Sequence, residues 1–180
     1  TDMGFLQANN EVGFYTSQSY NIYEPFGRFN NMWVNLFLYY YRLYKPSVYT
    51  NLSIESDGGF NTRKFNTWGY DLSIQPYRGY DYFEPRVWGR YFQTYRFGRL
   101  GVWFSSDYRK KVAIDLSLYG AQYENKNRYM FNWRVAPRFR INDHLFITYV
   151  YSFQSMINDI GFAYAFEDDE QNSPLFGTRD

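Results

Sequence analysis

Cysteine is absent from the 180-residue sequence, and histidine occurs only once. The chain therefore has no disulfide framework, no thiolate metal site and no cysteine nucleophile, and one imidazole gives little basis for histidine chemistry. An excess of charge of one sign is missing too, because 19 lysines and arginines stand against 18 aspartates and glutamates. Without a basic excess to neutralise phosphates, the composition argues against nucleic acid as a partner.

Long hydrophobic runs are also missing, since the sequence has no stretch of about 18 uninterrupted apolar residues, the length that a transmembrane helix needs. Aromatic residues, in contrast, are abundant, with 21 tyrosines, 18 phenylalanines and 5 tryptophans making up 24% of the chain. Together with a hydrophobic content of 45%, this excess excludes disorder. The length indicates a single domain over residues 1–180.

Apolar and polar side chains alternate along most of the chain. Between residues 111 and 123 the apolar set is Val112, Ile114, Leu116, Leu118 and Gly120. The intervening set, which is polar or small, is Ala113, Asp115, Ser117, Tyr119 and Ala121. A period of two is typical of a β-strand with two different faces, whereas a helix repeats every 3.6 residues.

The same alternation predicts about ten β-strands. They lie near residues 11–23, 32–44, 48–57, 64–75, 86–96, 99–106, 111–123, 128–140, 144–154 and 159–166. Residues that favour turns separate the strands at Lys45-Pro46, Asp57-Gly58-Gly59, Phe97-Gly98, Glu124 to Asn127, Asn142-Asp143 and Asn158-Asp159. Because these turns are short, consecutive strands are expected to pair antiparallel.

The predicted strands are long, at about 10 to 13 residues, which is enough to cross a bilayer at a steep tilt; strands of globular proteins usually have about 5 or 6. Aromatic residues also crowd toward the strand ends, as aromatic girdles do at membrane interfaces. These features predict an all-β fold, an antiparallel up-and-down transmembrane β-barrel with the lipid bilayer as its partner. The alternative is a soluble all-β protein with an aromatic-rich core or a sugar-binding face.

Several short motifs stand in order along nearly the whole chain. They include Asp2-Met3-Gly4-Phe5, Phe26 to Asn31, Tyr44-Lys45-Pro46, Gly79 to Val87, Asp107 to Lys111, Pro137 to Asp143, Asn158 to Gly161 and Phe176 to Asp180. In order and spacing, these motifs resemble the C-terminal outer-membrane β-barrel region of a Gram-negative family of unassigned function, the DUF5916 type.

The resemblance implies that the chain lies in the outer membrane of a Gram-negative bacterium and is an internal portion of a larger barrel. Members of the family usually carry an N-terminal family-nine carbohydrate-binding-like domain. This sequence lacks that domain, and it also lacks the final aromatic-terminated strand. The family offers no established catalytic residues, so the resemblance implies none here.

Charged residues on the polar faces of the strands are candidates for lining the barrel lumen. They are Arg128, Arg134, Arg138, Arg140, Asp71 and Asp115. A guanidinium group suits phosphate and carboxylate, so the four arginines are candidates to bind anions, acidic glycans or lipid phosphates. The alternative is a structural network in which the arginines pair with Asp71, Asp115 and Glu55, because buried charges are usually paired.

An irregular loop between the strands is the candidate recognition element, since loops on rigid scaffolds often carry binding. Its candidate residues are Tyr80, Tyr82, Phe83, Arg86 and Trp88. Their aromatic rings suit stacking on a glycan, and anchoring at the membrane interface is the alternative role.

Metal binding and catalysis have weak sequence support. The acidic run Glu167 to Glu170 lacks the glycine and the spacing of a calcium loop, so we expect a solvated loop and no metal or cofactor. His144 with Ser152 or Asp143 is the only combination with a hydrolase character, and no nucleophile-elbow motif accompanies it. We therefore expect no enzyme activity.

The function expected from the sequence is that of a non-enzymatic, integral outer-membrane β-barrel protein. It would act in transport or as a structural subunit of a larger envelope protein complex, and only the family's additional domain links it to glycans. A soluble all-β carbohydrate-binding module is the alternative function.

Overall fold

The computed structural model describes residues 10–83, 85, 89–125, 127–165 and 174–179, with side chains up to Ile160. Thirteen β-strands and no helix occupy these ranges. The strands are β1 (Glu11–Ile22), β2 (Phe29–Leu43), β3 (Tyr49–Thr62), β4 (Thr67–Gln75), β5 (Gly79–Asp81), β6 (Phe92–Thr94), β7 (Phe97–Ser105), β8 (Val112–Tyr123), β9 (Tyr129–Arg140), β10 (Phe146–Thr148), β11 (Tyr151–Ile157), β12 (Asp159–Ala165) and β13 (Pro174–Arg179). Within the described ranges, no helix is long and apolar enough to cross a membrane.

One nine-stranded antiparallel sheet forms most of the structure. Its strands follow the order β1-β2-β3-β4-β7-β8-β9, and β10 and β11 share the far edge of β9. Every pair in this series is antiparallel, which confirms the predicted all-β antiparallel fold. Strands β5 and β6 form a separate hairpin, and β12 pairs with β13.

The predicted closure of the sheet is not seen in the described part of the chain. No pairing joins β1 to β10 or β11 in that part. The sheet is therefore open there, with β1 at one edge and β10 and β11 at the other. The observed fold is therefore an antiparallel meander of neighbouring strands rather than a closed barrel.

Strands β10 and β11 are two parts of one strand, interrupted opposite a proline. The register is continuous, because Thr148 pairs with Arg138 and Tyr151 with Val135. Between them, the Tyr149 amide donates to the Pro137 carbonyl at 3.1 Å. Proline has no N–H to return that bond, which explains the break in the ladder.

Three local predictions are wrong. Asp57-Gly58-Gly59 is not a turn but lies inside β3, and Phe97-Gly98 opens β7. The predicted strand over 86–96 is reduced, in the described residues, to the three residues of β6. Glycine was taken as a turn signal, but aromatic rings from neighbouring strands, Tyr70 at Gly58 and Trp33 at Gly59, cover the backbone of the two glycines in β3.

The two faces of the sheet differ in chemistry, and the apolar face is the exposed one. Cross-strand register places Leu100, Leu118 and Trp133 on one face, where Leu100 is 53% and Leu118 45% exposed. The opposite, polar face contains the most buried positions, including Ala121 at 7% and Ala136 at 0%. No large side chain among the described residues is fully buried. In the part of the chain with described side chains, the sheet therefore has no core of large, fully buried apolar residues.

Candidate binding surfaces on the polar face

Aromatic rings on the polar face lie across glycines of adjacent strands. Gly69 pairs directly with Trp103, and a Cβ on Gly69 would overlap the Trp103 ring. The same arrangement recurs in the cross-strand pairs Gly13–Tyr41, Gly59–Trp33 and Gly101–Tyr119. These rings shield the backbone and account for the low exposure of the polar face.

A row of polar side chains crosses this face. Ser19 donates to Asn35 at 2.7 Å, and the Asn35 amide donates to Asp57 at 2.8 Å. Asp57 stands directly opposite Asp71, an arrangement of like charges that is normally unfavourable. The Tyr119 hydroxyl donates to Asp71 at 3.2 Å, so each carboxylate has its own hydrogen-bond donor.

A polar groove of about 700 Å³ lies on this face, across β7, β8, β9 and β11. Most of its lining residues carry charged, hydroxyl or amide groups: Arg99, Ser105, Tyr108, Asp115, Ser117, Tyr119, Asn132, Arg134, Ser152 and Gln154. The apolar residues Trp103, Phe104, Leu116 and Met130 complete the lining. Asp115 accepts hydrogen bonds from the hydroxyls of Ser105 at 2.7 Å and Tyr108 at 2.5 Å. Arg99 and Arg134 make no ion pair among the described residues, so their guanidinium groups remain available in the groove.

The four predicted arginines all lie at the polar face or its ends, but they do not form one ladder of equivalent groups. Arg128 pairs with Asp159 at 2.6 Å and lies over the Tyr123 ring. Arg140 pairs with Asp143 at 2.8 Å in the turn after β9. Of the four, only Arg134 lines the groove.

The expected network of these arginines with Asp71, Asp115 and Glu55 is not observed. Asp71 and Asp115 accept hydrogen bonds from hydroxyl groups instead, and Glu55 accepts one from Ser53 at 3.3 Å. These three carboxylates thus accept hydrogen bonds from neutral hydroxyl groups and not from the four arginines.

A second cavity, of about 550 Å³, lies beside the β5–β6 hairpin at one end of the sheet. Tyrosines and an ion-pair cluster line it: Tyr40, Tyr49, Leu52, Tyr77, Arg78, Tyr80, Arg96 and Glu124. Tyr80 contacts Tyr49 edge-on, with 6.3 Å between ring centroids, and Tyr91 at 5.2 Å. We call this cavity the tyrosine pocket.

Glu124 joins the tyrosine pocket to two arginines. Arg78 donates to both carboxylate oxygens of Glu124, at 2.8 and 2.7 Å, and Arg96 donates at 3.0 Å. These hydrogen bonds, those from Arg78 foremost, lower the pKa of the Glu124 carboxyl from its usual 4.5 to about 2. The cluster therefore stays ionised at any physiological pH and fixes the hairpin against the β8–β9 turn.

Part of the predicted recognition loop is seen in this region. Tyr80 lines the tyrosine pocket, Tyr82 contacts Tyr91 at 5.4 Å, and Phe83 lines a smaller adjoining cavity of about 260 Å³. Arg86 and Trp88 lie outside the described residues, as does the acidic run 167–170.

The hydrolase combination is not assembled. His144 is exposed in the turn between β9 and β10, whereas Ser152 lies six residues beyond Phe146, the start of β10. Six residues of extended strand place Ser152 about 20 Å from Phe146, the strand residue nearest to the turn that holds His144. Within the described residues, no group of three or more histidine or carboxylate side chains is placed to hold a metal ion.

Sequence reasoning missed most of the tyrosine pocket. Arg78 and Glu124 are 46 residues apart, and Glu124 was noted only as part of a turn. Tyr49 was not singled out as a candidate either, and Tyr77 was counted only among the aromatic residues near the strand ends. Only the prediction that the irregular loop with its aromatic residues is a recognition element pointed to this region.

Comparison with known proteins gives a family but no characterised relative. A family model described as a domain of unknown function, DUF5916, matches residues 1–180. No curated protein and no solved structure matches the chain.

Proposed function

The chain belongs to the DUF5916 family, and from this premise we propose that it forms part of an integral outer-membrane β-barrel of a Gram-negative bacterium. It has no enzymatic role and acts in transport or as a structural subunit of an envelope complex. The bilayer covers its apolar face, and the remaining strands of the barrel come from outside the described residues.

The observation that carries this proposal is the exposure of the apolar face. Leu100, Val102, Leu118 and Phe153 lie on that face and are between 45% and 53% exposed. Burial of apolar area stabilises a protein by about 25 cal/mol per Å². Covering these exposed apolar side chains would therefore be favourable. In a membrane barrel, lipid chains cover the outward apolar face, and no additional protein surface is required.

Strand length supports the same proposal. Five strands of the main sheet, β1, β2, β3, β8 and β9, have 12 to 15 residues. A strand tilted in a membrane needs about 9 to 11 residues to cross the hydrocarbon layer. The shorter strands β4 and β7, with nine residues each, still reach that range.

The polar groove supports a transport role. It combines two arginines without ion pairs with hydroxyl and amide groups on the face that would line the lumen. In a barrel, such a surface sets the selectivity for the solutes that pass.

Carbonate washing of outer membranes tests membrane residence. We expect the native protein, detected with an antibody against residues 76–83, to stay in the washed pellet and to migrate well above the 21.8 kDa of this chain. Release into the wash would contradict the proposal.

A soluble all-β carbohydrate-binding module is the second candidate function, and the tyrosine pocket is the observation that favours it. Tyrosine rings with nearby charged hydrogen-bonding groups suit stacking on sugar rings. In a glycan array, Tyr80→Ala should then lose binding at least tenfold. Tyr23→Ala, at an 81% exposed position in the turn after β1, should not. Binding that is absent, or equal in both variants, would count against this function.

A further inference from the structure

A small cationic cavity lies at the end of the polar face opposite the tyrosine pocket. It has a volume of about 220 Å³ and is lined by Tyr108, Lys110, Ala113, Arg138, Arg140 and Phe146. Ala113, at 3% exposure, lies on the sheet below it. Three of the six lining residues are cations and none is a carboxylate. We call it the cationic cavity.

Arg138 is the central group of this cavity. Its guanidinium lies 4.1 Å from the centroid of the Phe146 ring and 5.1 Å from that of Tyr108. The Arg138 side chain has no hydrogen bond or ion pair among the described residues. The two rings therefore hold the guanidinium in place while its N–H donors remain without an acceptor.

The carboxylates near the cavity have partners other than Arg138 and Lys110. Asp107 pairs with Arg109 at 2.9 Å, and Asp115 accepts hydrogen bonds from Ser105 and Tyr108. Asp143 contacts one nitrogen of Arg140 and is itself 84% exposed. Lys110 has no ion pair in the described part of the chain. Two of the lining side chains, Arg138 and Lys110, therefore carry positive charges that no ion pair balances in the described part of the chain.

We propose that the cationic cavity binds a phosphate group, either free or as a phosphate monoester. A planar guanidinium already held by two rings gives paired donors at low entropic cost, and a lysine adds a point charge beside it. The volume corresponds to about seven water molecules at ~30 Å³ each. This size fits a phosphate with part of its hydration shell and excludes a whole nucleotide.

This inference goes beyond the proposed membrane function and does not depend on it. The cavity is built from β8, β9, β10 and the β7–β8 turn, whichever solvent covers the apolar face. A phosphate bound there would supply the acceptor that Arg138 lacks and would tie the β7–β8 turn to the edge strand β10.

Isothermal titration calorimetry on the intact, detergent-purified protein tests the proposal. Inorganic phosphate and a short-chain phosphatidic acid are the two probes, with sodium chloride at equal ionic strength as the reference. We expect saturable binding of at least one probe. Arg138→Gln and Lys110→Gln should each weaken it tenfold or more, whereas Lys111→Gln, next to the cavity but outside its lining, should change it less than twofold.

The two probes also separate the sources of the phosphate. Tighter binding of phosphatidic acid would identify a lipid headgroup, and equal or tighter binding of inorganic phosphate a soluble ligand; both support the site. Absence of saturable binding for both probes would overturn the proposal, as would equal weakening in Lys111→Gln, which indicates diffuse attraction. Lys110 lies in a turn, so Lys110→Gln keeps the test valid if Arg138→Gln does not fold.

Discussion

At the scale of single residues, the polar face depends on close contact between glycines and rings. A ring that lies flat on a glycine of the next strand covers two strands at once and leaves no space for a Cβ. Glycine is therefore required here for close approach and not for an unusual backbone angle. This explains how β3 continues through two consecutive glycines, which by themselves would weaken a strand.

Gly69→Ala should destabilise the protein by about 1 to 3 kcal/mol, because the new methyl group would overlap Trp103 and a backbone carbonyl on β3. Chemical unfolding in detergent measures the change. Gly120→Ala is the matched control, since nothing lies within 4 Å of its Cβ position. A control as damaging as Gly69→Ala would show that the ring contact is not the cause.

The Arg78–Glu124 ion pair predicts a pH dependence. The Glu124 carboxyl has its pKa lowered to about 2 in the folded state against 4.5 ordinarily, so its stabilising effect is complete above pH 4.5 and disappears as the pH falls toward 2. As the pH falls through this window, the melting temperature of the wild type should therefore decrease more than that of Glu124→Gln. Arg78→Gln, which removes the main partner, should reduce the same pH dependence; unchanged profiles in both variants would refute the assignment.

At the scale of elements, alternation predicted the long strands well because it is a local property. The predicted 11–23 and 111–123 correspond to β1 (Glu11–Ile22) and β8 (Val112–Tyr123). The failures come from partners distant in sequence. The glycines of β3 are covered by rings of β2 and β4, and Glu124 is engaged by arginines from another loop. No single segment contains that information.

The break between β10 and β11 gives a prediction at this scale. Pro137→Ala would supply the N–H that is missing opposite Tyr149, so the ladder should become continuous from residue 146 to 157. Hydrogen exchange by NMR should then show the new amide at position 137 protected as strongly as that of Val135. Free exchange at position 137 would show that another feature causes the break.

At the scale of the whole molecule, the sheet has two faces with opposite chemistry, and its apolar face is the more exposed of the two. The polar face is closed by rings, hydroxyls and amides, while the apolar face has no cover in the described residues. The sequence predicted both faces from their alternation. It could not predict whether the sheet closes, because closure depends on how edge strands pair and not on either face.

The face assignment predicts unequal effects of one added charge. Leu116→Arg places a guanidinium on the apolar face and should cost about 2 to 4 kcal/mol if that residue lies at mid-bilayer. Ser117→Arg, one residue along β8, points into the polar groove and should cost about 1 kcal/mol or less, even opposite Arg134. Unfolding in lipid vesicles compares the two, and equal or reversed costs would contradict the assignment.

Contact of the apolar face with lipid is the central claim, and the cysteine-free sequence allows it to be measured directly. Leu118→Cys and Ser117→Cys lie next to each other on opposite faces of β8, and each accepts a fluorescent label in the membrane-embedded protein. A quencher attached to the lipid chains should quench the label at position 118 strongly and the label at position 117 weakly. Equal quenching at both positions, or stronger quenching at 117, would contradict the account.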